Sequence, residues 1–153
     1  MRRPWNKTPL PVYSLVTCSQ ELIYNMNICT YVIPVSLKPK LYIIALDPDT
    51  QTYENFQKSH SWLLQILSKD CKRFVRPLWK SSGKKKDKLR SLTKYLTYHK
   101  NIPILSSIVA SLEFEYREEL KSQDWDHRLF LVKITSYRYH NPESPILTTD
   151  DIY

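Results

Sequence analysis

Residues 25–40 read NMNICTYVIPVSLKPK, a run of β-forming side chains that proline stops twice, and such a run leaves few folds open to the chain around it. Its members alternate. Asn27, Cys29 and Tyr31 fall on one face of a strand and Met26, Ile28, Thr30 and Val32 on the other, because successive side chains of a strand point to opposite sides. One face is apolar and the other small or polar, the pattern of a strand that touches a ligand. Pro34 cannot donate to a ladder, so the strand must stop or bulge there, and Val35, Ser36 and Leu37 then lead into Pro39.

Further strands are predicted over residues 12–18, 41–46 and 62–67, beside one over 25–33. The clearest covers 108–117, where Ile108, Ala110, Leu112, Phe114 and Tyr116 alternate with Val109, Ser111, Glu113, Glu115 and Arg117, as in a half-buried antiparallel strand. A last one covers 129–139. Helices are predicted over 50–58, capped by Asp49 or Thr50 and with Glu54 near its positive end, over 70–79, and over 87–96. Phe74, Val75 and Leu78 share a face of the second, and Leu89, Leu92 and Leu96 a face of the third. Several short strands, few helices and no βαβ alternation argue for a mainly β chain, a closed or split antiparallel barrel, in one domain over 1–153.

The formal charge of +8 concentrates in residues 80–90, KSSGKKKDKLR, where Lys80, Lys84, Lys85, Lys86, Lys88 and Arg90 flank Gly83. The stretch reads as a solvated loop leading into a helix, with a contribution to an anionic cofactor site or a contact to nucleic acid as alternatives. Gly83 is the only glycine in 153 residues. Gly-rich phosphate cradles are therefore excluded, and any phosphate must be held by hydroxyls, by Lys or Arg, or by amides at a helix N-terminus.

Cys18, Cys29 and Cys71 are odd in number and widely spaced, which gives neither a disulfide framework nor a metal pair. His60, His99, His127 and His140 stand without a second His or an acid at ligand spacing, so no metal site is expected. No segment approaches the roughly 18 apolar residues that span a bilayer, and residues 1–10 lack the apolar stretch of a signal peptide. A cytoplasmic location is expected.

Taken in order, several segments resemble the flavin reductase-like family of FMN-binding split barrels. Residues 12–18 (VYSLVTC) look like its first strand, which ends V-T-T. Asn25 and residues 27–31 look like the N-A-M-T-A-S-W hallmark, Val35-Ser36 like the V-S after it, and Pro39-Lys40 like the closing P-P with Lys40 replacing a proline. Residues 52–56 (TYENF) look like T-x-E-N-I and 62–67 (WLLQIL) like F-V-V-N-V-L. Asp126-His127 looks like the late G-D-H, with Trp125 where glycine is usual.

The resemblance implies a split barrel that binds FMN, with FAD as the less favoured alternative, a homodimer, and an NAD(P)H-dependent flavin reductase that moves hydride from nicotinamide to flavin. It places Asn27, Ile28, Cys29 and Thr30 along the isoalloxazine and ribityl chain, and Ser36 and Lys38 toward the phosphate end or ribityl hydroxyls. Thr50, Gln51 and Thr52, at a helix start, offer hydroxyls and free amides to a phosphate, although helix capping explains Thr50 equally well. His127 falls where it would contact substrate or nicotinamide. Trp125 cannot adopt a positive φ cheaply, and is expected to cover the flavin ring by stacking instead. Two other functions stay open: a flavin-binding electron-transfer module without NAD(P)H turnover, and a basic barrel that stacks single-stranded nucleic acid on its Tyr and Trp rings.

Overall fold

The computed structural model describes residues 3–59, 62–80, 84, 87–121 and 123–153. Nine strands are described: β1 (Tyr13–Cys18), β2 (Tyr24–Cys29), β3 (Val32–Ser36), β4 (Leu41–Leu46), β5 (Leu63–Ile66), β6 (Leu96–His99), β7 (Ile102–Leu105), β8 (Ala110–Leu120) and β9 (Arg128–Tyr139). Three helices accompany them, α1 (Gln51–Lys58), α2 (Lys72–Lys80) and α3 (Thr149–Ile152). Seven strands form one sheet in the order β2-β1-β5-β8-β9-β4-β3, and β6 and β7 form a separate hairpin. Every pairing is antiparallel.

The two ends of the seven-stranded order are consecutive in sequence. Residues 25–33 are therefore not one strand: β2 stops at Cys29, the chain crosses at Thr30 and Tyr31, and β3 starts at Val32 on the opposite edge. The sheet is closed on itself by covalent chain, with no ladder between β2 and β3. All seven strands send side chains into one core, with Leu15, Cys29, Val32, Ile44, Leu64, Phe114 and Phe130 among its members, which defines the barrel interior. A second core lies outside the barrel, where Val16, Met26 and Leu63 pack against Phe74, Val75 and Leu78 of α2 and Ile104 and Leu105 of β7. The expected alternation holds as far as Cys29, with Met26 in the outer core and Cys29 in the inner one.

Tight aromatic packing fixes α1 on the barrel. Phe56 stacks on Trp62 at 4.7 Å between ring centroids and meets Phe130 at 4.7 Å. Two buried polar ties complete the attachment. Thr17 of β1 faces Asn25 of β2 across the ladder; Asn55 Nδ2 donates to Thr17 Oγ1 at 3.2 Å and Asn25 Nδ2 to Thr52 Oγ1 at 3.0 Å. Thr52→Val would keep the shape but strip the buried Asn25 amide of its acceptor, an expected loss of about 1–3 kcal/mol measured by urea denaturation.

One expectation, the helix over 87–96, is corrected. Leu96 begins a strand, and only a 3-10 turn over Arg90–Tyr95 precedes it, so the helix over 87–96 does not form. The β6–β7 hairpin turns at Lys100 and Asn101, with φ of 48° and 68°; two positive φ values in a two-residue loop give the turn whose twist matches that of the flanking strands.

Candidate functional site

The open seam between β2 and β3 is one wall of a cleft of about 550 Å³. Asn27, Ile28, Cys29, Thr30 and Tyr31 line it from the crossing chain, Ala45 and Leu46 from the end of β4, and Thr50, Gln51 and Thr52 from the start of α1. Trp79 and Lys80 at the end of α2, Lys88, His127 and Tyr153 complete the enclosure. Among the strands described, β2 pairs only with β1, so its outer edge presents main-chain donors and acceptors to whatever lies in the cleft.

Most of the residues singled out from the sequence meet here, since Asn27, Ile28, Cys29, Thr30, Thr50, Gln51, Thr52 and His127 all line the one cleft. Ser36 and Lys38 do not. They sit at the β3–β4 hairpin, whose bulge sets Ser36 opposite Leu41, whereas the cleft lies at the other end of these strands, where Ala45 N donates to Tyr31 O. Five residues of strand separate the two ends, roughly 16 Å. Trp125 is exposed and does not line the cleft either, and the positive φ of that turn falls on Asp124, at 59°, a residue type that tolerates it.

Thr50 caps α1: its hydroxyl accepts from Tyr53 N at 3.2 Å and donates to Asp47 O at 2.7 Å. That occupies the side chain and leaves the amides of Gln51 and Thr52, in the first helical turn, for a ligand. Asp47 and Asp49 line the same wall, with Asp49 N donating to Asp47 Oδ1 at 2.8 Å, so this end of the cleft mixes helix amides with carboxylates. His127 takes a 3.0 Å hydrogen bond between its Nδ1 and Asp126 Oδ1 and meets the Tyr31 ring edge-on at 5.3 Å. The imidazole is thus held from two sides at the cleft wall.

Lys88 is a site residue that the sequence marks only as part of a basic run, with an anionic cofactor site as one alternative. In a run expected to be solvated it is 7% exposed, and its Nζ donates to Leu78 O at 2.8 Å and to Met26 O at 3.4 Å. Among the described residues no carboxylate pairs with it. Burial pushes its pKa down to about 8 against a smaller upward pull from Cys29 close by, whose own thiol burial pushes up to about 12, so that it is neutral at physiological pH. A buried ammonium without an anion, lining a cleft, is an unfinished ion pair. The sequence signal was slight: Asp87 Oδ1 accepts from Leu89 N and Arg90 N, a local cap that turns the chain inward at this lysine. Of its neighbours, Lys80 lines the cleft and Lys84 pairs with Glu54 at 2.7 Å, while Gly83, Lys85 and Lys86 lie outside the described residues, as does His60. Among the described residues no three His, Cys, Asp or Glu cluster as metal ligands, and no helix is long and apolar enough to cross a membrane.

No curated protein matches the chain by sequence. Solved structures with the same fold include an NADH:FAD oxidoreductase from Streptomyces globisporus C-1027, with TM-score 0.81 and 16% identity over 96% of this chain and 85% of that one. An FMN-binding protein from Thermus thermophilus has TM-score 0.76 and 20% identity over 92% and 76%. The styrene monooxygenase flavin reductase of Pseudomonas putida S12 has TM-score 0.75 and 17% identity over 94% and 88%. A family model described as the flavin reductase like domain matches residues 5–153. With the seam, the cleft and the sheet order in place, that match over nearly the whole length puts this chain in the flavin reductase like family.

Proposed function

We propose that the chain is a flavin-dependent oxidoreductase that uses NAD(P)H, with the riboflavin phosphate portion common to FMN and FAD lying in the cleft along 27–31. The observation that carries this reading is Lys88, an ammonium buried against two carbonyls with no carboxylate paired to it among the described residues, which an anionic ligand in the cleft would complete. When bound, the flavin supplies hydride acceptance and release, so the protein needs no nucleophile or tuned acid–base pair. A structural neighbour that is an NADH:FAD oxidoreductase, seen also in complex with NAD and FAD fragments, supports the same reading.

The chain's own residues then bind and orient. Main-chain groups of 27–31 meet polar edges of the ring, the Gln51 and Thr52 amides and Lys88 hold negative charge, and Cys29, a buried neutral thiol, stays out of the redox chemistry. His127, fixed by Asp126 and Tyr31, orients the nicotinamide. His127→Asn is expected to lower kcat/KM for NAD(P)H about tenfold while weakening flavin binding far less, as steady-state kinetics beside a flavin titration would measure. Equal losses in both would reassign His127 to flavin binding. A homodimer fits the edge strand β3, which exposes Ile33 and Val35 beside Leu37, and sedimentation equilibrium tests it.

A further inference from the structure

The cleft shares a wall with a neighbour beside α1. Asn25, Gln51 and Lys88 line the cleft and also line a second hollow of about 440 Å³, which runs between the β1–β2 hairpin, α1 and Asp87. We propose that this second lobe receives the adenylate half of FAD, so that the protein selects the dinucleotide over FMN; the proposal rests on the flavin reading above.

The junction and the lobe differ in chemistry. At the junction the Lys88 amine has used two of its three donors on carbonyls, and Gln51 stands in the first turn of α1, so an anionic linker is favoured there. Lys84, held at 2.7 Å by Glu54, adds a cation at the rim of the lobe. Beyond these, the lobe offers carboxylates, Glu21 and Asp87, with the Ser19 hydroxyl. Carboxylates accept hydrogen bonds and repel phosphate, which suits the hydroxyls of a ribose and not a terminal phosphate. FMN would end at the junction as a phosphate monoester near two negative charges at one site, facing Asp47 and Asp49 on one side and Glu21 and Asp87 on the other. FAD spreads its charge over two phosphates and goes on with a sugar diol. The half-buried Tyr24 ring and Ile23, also in the wall, give the purine an apolar surface.

An adenylate could also arrive on NAD(P)H, so the test has three arms. The full chain is titrated with FMN, FAD and NADH separately, following flavin quenching or nicotinamide fluorescence, and the titrations are repeated with Glu21→Ala and Ser19→Ala. Glu21 is exposed on the hairpin, and circular dichroism checks that each variant folds. The expected result is FAD binding about tenfold or more tighter than FMN, with Glu21→Ala narrowing that preference several-fold. Equal affinities, a preference that neither variant narrows, or a loss confined to NADH would overturn the proposal and leave the flavin cleft standing. Failure of both flavins to bind would overturn the flavin reading itself.

Discussion

Lys88→Met is expected to weaken flavin binding by one to two orders of magnitude at neutral pH, about the range for losing a charge-assisted hydrogen bond in a dry site. The same change relieves the flavin-free protein of a cost. Burial lowers the Lys88 pKa from 10.5 to about 8, and that gap corresponds to roughly 3 kcal/mol of disfavoured charge at neutral pH, offset in part by its two carbonyl partners. The sign of the pH dependence follows from proton counts. Below about pH 8 folded and unfolded chains both hold the proton, and the cost is present in full. Between about 8 and 10.5 the folded chain has released it while the unfolded chain keeps it, so this contribution to stability rises with pH. Urea denaturation of the flavin-free protein should therefore show a rise in this window that Lys88→Met removes. Flavin affinity should run the other way, falling as pH passes about 8 because the bound anion needs the protonated amine. A flat profile in both measurements would mean that Lys88 does not face the ligand.

The second large effect concerns the support beneath the cleft. Phe130→Ala is expected to cost about 3–5 kcal/mol, a large share of a typical domain's stability. Phe130 is 1% exposed in β9 and packs against Phe56 at 4.7 Å, Tyr53 at 6.0 Å and Tyr116 at 6.3 Å between ring centroids. Those contacts press α1 on the barrel, and α1 in turn presents the Gln51 and Thr52 amides to the cleft. Thermal denaturation should show the loss, and flavin should restore part of it, since a ligand that binds only the folded state stabilises it by mass action. Phe130→Leu keeps most of the volume and should lose much less.

Strands and caps that depend on local pattern were legible. The bounds of β4 match the apolar run at 41–46, Thr50 caps α1, and Phe74, Val75 and Leu78 form the buried face of α2. Features that depend on long-range closure were not. Nothing local breaks the run 25–33 at Thr30. The break exists because β2 and β3 must reach opposite edges of one sheet, and that crossing makes the cleft. The 87–96 segment carries leucines at helical spacing, yet Leu96 is drawn into the β6–β7 hairpin, whose turn uses Lys100 and Asn101 in place of the usual glycine. Lys88 looked like any other lysine of its basic run because burial of one lysine among several is decided by where α2 and β2 place their carbonyls. Ser36 and Lys38 matched a motif in sequence, but the hairpin carries them to the far end of the barrel.

The most direct test is the flavin absorbance spectrum of the purified chain during titration with FMN and then FAD, followed by anaerobic addition of NADH or NADPH. A saturable shift of the flavin bands, then bleaching faster than for free flavin, is the predicted result. A spectrum indistinguishable from free flavin at excess protein would contradict it, and a bound flavin that neither nicotinamide bleaches would leave an electron carrier in place of a reductase.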